Sequence, residues 1–85
     1  RSLTSDAAVV RSPDAVVWTT VADGRLVMRT DRRQLAMPAE FTGWVHRLLD
    51  GEPVVVRSLA ASDPLRAEPQ DLARHLVAEG ILIAV

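Results

Sequence analysis

The residues of this chain that could do acid–base, nucleophilic or metal chemistry are few and scattered. Neither His46 nor His75 has an acidic residue two positions later, which a histidine–carboxylate pair of iron ligands would supply. The chain has no cysteine, so thiolate zinc sites, disulfides and a cysteine nucleophile are excluded. No serine stands in a Gly-x-Ser-x-Gly turn, and no glycine-rich loop precedes a helix. We predict no catalytic residue, cofactor or metal site, and no enzyme activity of this chain alone.

The balance of charge bears on nucleic acid as a partner. Eleven acidic and ten basic residues, all of the latter arginine, give a net charge of −1, whereas nucleic-acid-binding domains usually carry an excess of positive charge. We attribute the absence of lysine to GC-rich codon usage. The arginines of a hairpin, predicted below, could contact phosphates as the wing of a winged-helix domain does. The overall balance of charge nevertheless disfavours nucleic acid as a partner.

The three strands that would position these side chains are predicted from local patterns. The runs Ala15–Val21 and Arg25–Thr30 are rich in β-branched or alternating apolar residues. Between them, Asp23-Gly24 predicts a tight hairpin turn. Gln34–Met37 is predicted to return as a third short strand, which gives a small antiparallel sheet.

Helices are predicted to pack on that sheet. The first spans about Pro38–Asp50, since its apolar residues recur every three or four positions. A short second helix is predicted near Val56–Ala61 and a third over Pro69–Glu79. We expect Trp44 in the core, and Trp18 either there, as is commoner, or exposed as an anchor for a partner. The apolar stripe of the first helix comprises Phe41, Trp44, Val45, Leu48 and Leu49.

The predicted fold class is therefore α+β: a winged-helix-like domain with a small antiparallel sheet packed on two to three helices. Ferredoxin-like topology is the alternative. Residues 1–14 are predicted to be a flexible segment, to which Val9-Val10 adds at most a short edge strand, and residues 15–85 to form the domain. The terminal run Ile81–Val85 is apolar throughout and is predicted to be a central or covered strand.

Length and hydropathy bear on the number of domains and on the location of the protein. Eighty-five residues are enough for one small domain. No apolar run approaches the roughly 20 residues that span a bilayer, and the first residues do not resemble a signal peptide. We predict a cytoplasmic location without membrane contact and leave the oligomeric state open. The chain begins at Arg1 and not at a methionine, as expected of a trimmed chain or of a piece of a longer protein.

A peptide-binding groove is predicted beside the Gln34–Met37 strand. A free strand edge can accept an extended partner through backbone hydrogen bonds. The third helix would form the other wall of the groove. The candidate partner-binding residues are Arg32, Arg33, Gln34, Leu35, Arg74 and His75.

Four segments carry a family resemblance: Asp23–Met28, Arg33–Pro38, Leu48–Val54 and Leu72–Leu82. Their pattern is a short hairpin, an apolar residue and proline before a helix, Leu-Leu-x-Gly-x-Pro at its end, and Leu-x-x-Glu-Gly-Ile-Leu before the last strand. From about Val16 to Val85 the chain resembles the C-terminal winged-helix domain of bacterial JmjC-type cupin proteins, which are similar to the ribosomal oxygenases.

That resemblance implies an accessory domain of an iron- and 2-oxoglutarate-dependent protein hydroxylase. Such a domain would pack on the cupin barrel of the same polypeptide or help to shape the groove for the protein substrate. The family's metal ligands belong to the preceding barrel and match no position here, so the resemblance implies no catalytic residue in this chain.

The predicted domain also resembles the PqqD-like domains of peptide-modifying systems, which bind a leader peptide as an added strand. The chain departs from them at Ala36-Met37-Pro38 and in the connector Asp63–Pro69. Three hypotheses follow: an accessory domain of a JmjC/cupin hydroxylase, a free-standing peptide-recognition element, and a DNA-binding winged-helix regulator.

Overall fold

Two three-stranded antiparallel sheets and three helices make up the fold, which a computed structural model describes for residues 3–85. The elements are β1 (Ala8–Arg11), β2 (Val17–Ala22), β3 (Arg25–Thr30), β4 (Gln34–Pro38), α1 (Thr42–Leu48), β5 (Val54–Val55), α2 (Ser58–Ser62), α3 (Pro69–Ala78) and β6 (Leu82–Ala84). The strand order is β2-β3-β4 in the first sheet and β5-β1-β6 in the second. This architecture confirms the predicted α+β class and is compatible with a small winged-helix-like fold.

The predicted hairpin between β2 and β3 is confirmed. Asp23 and Gly24 both have positive φ, 54° and 74°, the backbone of a two-residue turn that matches the twist of the flanking strands. Leu26 and Met28 are fully buried on the inner face of β3. The turn and the alternation together fix which side of the first sheet meets the helices.

The first helix begins later than predicted because the sheet continues past Pro38. The backbone N–H of Ala39 donates to the Gly24 carbonyl at 3.1 Å, which extends the β3–β4 ladder by one residue. A single 3-10 turn, Ala39–Phe41, then leads into α1. Pairing of Val54 with Val9 in the second sheet likewise delays α2, whereas α3 begins at Pro69 as predicted.

The core is shared by both sheets and all three helices. Trp44 is fully buried, as predicted, and its indole N–H donates to the Asp63 carbonyl at 2.8 Å. The Phe41 ring lies beside it, with the ring centroids 5.6 Å apart. The buried apolar residues are Val9, Val54, Val56, Ile81 and Leu82 in or beside the second sheet, Leu26 and Met28 on β3, Trp44, Val45 and Leu48 on α1, Leu59 on α2, and Ala73 and Leu76 on α3.

Trp18 is not part of this core, so the expectation that it is buried there is wrong. Its side chain is 58% exposed. Thr19 is opposite Met28 in the β2–β3 register and shares the inner face with it, so the neighbouring Trp18 projects outward, opposite Arg29.

The N-terminal segment departs most from expectation. Residues 8–11, predicted to lie in a flexible segment, form the central strand of the second sheet. Val9 is fully buried and pairs with Val54 on one side and Ala84 on the other. The turn-forming Ser12-Pro13-Asp14 connects the two sheets and does not mark a domain boundary. Arg1 and Ser2 of the predicted segment lie outside the described residues.

The terminal strand is also corrected. Within residues 3–85, β6 pairs only with β1 and is an edge strand, although it was predicted to be central or covered. Ile83 is 46% exposed and Val85 76% exposed. Since β1 occupies the central position, β6 is left at the edge, and Leu82 is the buried residue of this strand. Within residues 3–85, no helix combines the length and apolar character needed to cross a membrane.

The buried position of β1 predicts a large difference between two neighbouring substitutions. Val9→Thr places a hydroxyl in the core without a partner, so we expect the free energy of unfolding to fall by about 1–3 kcal/mol. Val10→Thr makes the same change on the opposite, partly exposed face, and we expect a change within about 0.5 kcal/mol. Urea denaturation of both variants measures the difference; equal effects would contradict the central placement of β1.

Candidate functional site

The backbone of β4 is paired on one side only. β4 is an edge strand of the first sheet, and hydrogen-bonded pairs alternate along an antiparallel ladder. The Thr30 N–H donates to the Arg33 carbonyl at 2.9 Å, which makes this pair a hydrogen-bonded one. By alternation, Leu35 and Met37 direct their backbone groups toward β3.

The intervening residues of β4 therefore direct their backbone groups away from the sheet. Gln34 and Ala36 each present an N–H and a carbonyl at the free edge, whereas the carbonyl of Pro38, the N-cap residue, accepts the first hydrogen bond of the 3-10 turn. Among residues 3–85, no backbone group bonds the N–H of Gln34 or Ala36. This edge can pair with an added strand through two donors and two acceptors.

A groove of about 350 Å³ lies beside this edge, between β4 and α3. Four partly buried apolar side chains, those of Leu35, Met37, Phe41 and Leu72, form much of its lining. In a strand added to β4, side chains opposite Leu35 and Met37 would enter the groove, because side chains alternate between faces. The complete lining comprises Leu35, Ala36, Met37, Phe41, Ala67, Glu68, Asp71, Leu72 and His75.

The α3 side of the groove has a polar rim. Glu68, at the N-terminal end of α3, is exposed, as are Asp71 and His75. Arg74 pairs with the Asp71 carboxylate, so Glu68 gives this rim its net negative charge. A side chain that enters the groove therefore meets an apolar lining and then negative charge.

The opposite face of the first sheet, which we call the outer face, contrasts with the groove. Its side chains stand in three rows across the strands, given by the register of β2, β3 and β4. None of its members is acidic. The rows are Trp18, Arg29 and Gln34; Thr20, Val27 and Ala36; and Ala22, Arg25 and Pro38.

Three of the predicted site residues meet at the groove. Gln34 lies on the free edge, and Leu35 and His75 line the cavity from opposite walls. The predicted arrangement, with β4 as one wall and α3 as the other, is therefore present in the structure.

The two arginines that precede β4 lie elsewhere. Arg33 forms an ion pair with Glu79, with its Nη1 3.3 Å from the Glu79 Oε2, and so links the β3–β4 turn to the end of α3. Arg32 lines a separate cavity of about 220 Å³, which Glu79 also borders. Neither side chain lines the groove.

Arg74 does not line the groove either. Its guanidinium donates to the Asp71 carboxylate at 3.0 Å and to the Leu3 carbonyl at 3.2 Å. The contact with Leu3 joins α3 to a residue 71 positions earlier. Sequence spacing alone gives no sign of this contact.

Residues that the sequence prediction missed supply much of the apolar lining. Phe41, predicted in the apolar stripe of the first helix, is only partly buried, as is Leu72 on the third helix, and Met37 was not singled out. Strand alternation puts Met37 on the same face as Leu35. That signal was present in the sequence, but the gap left between β4 and α3 was not.

The described residues bring no metal-binding cluster together. Within residues 3–85, no three His, Cys, Asp or Glu side chains lie close enough to hold a metal ion. His46 on α1 and His75 on α3 are both exposed.

Comparisons with known proteins leave the chain without an assigned family. No family model, curated protein or solved structure matches it. The resemblances to JmjC/cupin and PqqD-like proteins therefore stay predictions, and function must be inferred from the edge of β4 and the groove beside it.

Proposed function

We propose that this chain is a non-catalytic recognition domain that binds an extended peptide as an added strand on β4. The unpartnered backbone groups of Gln34 and Ala36 carry this proposal, because they repeat at the spacing of a β-ladder. The groove beside them would receive alternate side chains of the peptide, and these would supply specificity.

The dimensions of the site support a short ligand segment. Five β4 residues, Gln34–Pro38, form the edge, and a strand of similar length would cover it. The groove of about 350 Å³ has room for the two side chains that would lie opposite Leu35 and Met37. Backbone pairing and apolar contact would then act together along one segment.

The ligand that we propose is a substrate polypeptide of an associated enzyme. Both resemblances imply this kind of ligand: the protein substrate of a JmjC/cupin hydroxylase or the leader peptide of a modifying system. The enzyme would supply the chemistry, and this domain would hold the substrate nearby. We also propose a cytoplasmic location, since a chain without cysteines needs no oxidising compartment to fold.

The test uses a display library of random dodecapeptides selected against the 85-residue chain, followed by affinity measurements on the recovered peptides. Ala36→Pro removes one edge N–H and leaves the β3–β4 ladder intact, since proline is tolerated where the N–H points away from the sheet. We expect binding to weaken about three- to tenfold, which corresponds to one hydrogen bond.

Ala36→Val is the matched control. Valine also adds side-chain bulk at position 36 but keeps the N–H, so we expect it to retain most of the affinity. Circular dichroism and thermal unfolding establish that both variants are folded. Recovery of no peptide, or of peptides that bind both variants equally, would rule out strand addition at β4.

A further inference from the structure

The outer face of the first sheet is positively charged, although the whole chain is slightly negative. The protein has eleven acidic residues and a net charge of −1, yet the outer face carries Arg25 and Arg29 and no carboxylate. Asp23 and Asp31 are in the turns at either end of β3, outside its three rows. This distribution gives the two faces of β4 opposite electrostatic character, since the groove side has the acidic rim.

Neither arginine has an acidic partner in the part of the chain that the structure describes. Within residues 3–85, three other arginines form ion pairs with carboxylates, whereas Arg25 and Arg29 form none. Both side chains are exposed. Beside Arg29 in the same row is Trp18, which is 58% exposed. These cations are free to interact with a ligand.

The register places each arginine in line with a position on the added strand. A residue opposite Gln34 would continue the row of Arg29, and a residue opposite Pro38 would continue the row of Arg25. The separation is two interstrand spacings, about 10 Å, which extended arginine and glutamate side chains can bridge. The row between them, which includes Val27 and Ala36, is uncharged.

We infer that the peptide bound at β4 is acidic at two positions four residues apart, in the order acidic, apolar, neutral, apolar, acidic. The acidic side chains would lie on the outer face and the apolar ones in the groove. The pattern reads the same in both chain directions, so it holds for either orientation of the added strand. This inference rests on the proposed function and specifies its ligand class.

The rim of the groove adds to the preference for acidic side chains on the outer face, because it disfavours acidic side chains in the groove. Carboxylates shifted by one position would point toward the Glu68 carboxylate on the rim, and like charges repel. A one-residue slip exchanges the faces of every side chain. The two faces together therefore favour one register of the peptide.

The test compares three end-capped peptides whose central residues are Glu-Leu-Ala-Leu-Glu, Gln-Leu-Ala-Leu-Gln or Lys-Leu-Ala-Leu-Lys. We expect the glutamate peptide to bind about tenfold more tightly than the lysine peptide at low salt, with the glutamine peptide between them. The difference should shrink in 500 mM salt, because exposed charges are screened. NMR titration measures all three affinities on the intact chain.

Two variants test whether the outer-face arginines cause the preference for the glutamate peptide. Replacing both outer-face arginines, Arg25→Glu with Arg29→Glu, should reverse the preference toward the lysine peptide. Arg57→Glu is the control, since Arg57 is exposed and paired with Asp6, away from the first sheet. We expect it to leave the preference for glutamate intact.

The outcomes separate this inference from the proposed function. Equal binding of the three peptides, weakened in each case by Ala36→Pro, would overturn the acidic preference and leave strand addition standing. Affinities unaffected by Ala36→Pro would contradict strand addition itself. Single-stranded oligo-thymidine is the competing probe, since bases stack on exposed tryptophan beside arginine. Tighter binding of oligo-thymidine than of the glutamate peptide at equal salt would overturn the inference in favour of nucleic acid.

Discussion

Trp44→Ala is expected to lower the free energy of unfolding by about 3–5 kcal/mol. The indole is fully buried, and it donates a hydrogen bond to the Asp63 carbonyl just after α2. Its removal leaves a cavity between the helices and a carbonyl without its donor. A domain of this size has a total stability of about 4–13 kcal/mol, so the variant should be largely unfolded at moderate urea concentrations.

Trp18→Ala is the matched control for this prediction. It removes the same side chain from an exposed position on the outer face, where we expect a change of about 0.5 kcal/mol. Urea denaturation followed by circular dichroism compares the two without relying on tryptophan fluorescence. Similar losses in both variants would contradict the assignment of Trp44 to the core and Trp18 to the surface.

Leu72→Glu is expected to weaken peptide binding at least 30-fold while the domain stays folded. Leu72 lies on the α3 wall of the groove and is only partly buried, so its replacement affects the ligand more than the core. A carboxylate there would be desolvated against an apolar ligand side chain, at a cost of about 2–3 kcal/mol. Isothermal titration with a peptide recovered from the library measures the loss.

Two further substitutions show whether the groove itself is responsible. Leu72→Met preserves volume and apolar character, and we expect nearly unchanged affinity. Gln70→Glu adds the same charge to α3 outside the groove lining and should also have little effect. If Gln70→Glu weakened binding as much as Leu72→Glu, general electrostatic repulsion would account for the loss and the groove would not.

Local sequence patterns were sufficient to predict the β2–β3 hairpin and the buried face of α1. The Asp23-Gly24 turn and the alternation of Leu26 and Met28 are sufficient to predict the hairpin, because turn residues and strand periodicity act over a few positions. The spacing of Trp44 and Leu48 likewise predicts the buried face of α1.

Long-range pairing was the part that the sequence did not predict. Val9 pairs with Val54 and Ala84, residues far away along the chain, and a four-residue strand gives no local sign of two partners. The same pairing makes β6 an edge strand despite its apolar sequence. Trp18 follows another apolar residue, Val17, so only the pairing register decides which of the two faces outward.

The candidate site was predictable to a similar extent. β4 is the last strand of a meander, so its free edge and its place beside α3 follow from the order of elements. The positions of Arg33 and Arg74 depend instead on ion pairs and on contacts with Glu79 and Leu3. These contacts arise only when distant segments pack together.

Amide hydrogen exchange along β4, with and without bound peptide, tests strand addition most directly. In the free domain, the N–H groups of Leu35 and Met37 should exchange slowly because they bond to β3, whereas those of Gln34 and Ala36 should exchange fast. Peptide binding is expected to slow exchange at Gln34 and Ala36 selectively. Unchanged exchange at these two amides, with protection appearing at another surface, would contradict recognition at the β4 edge.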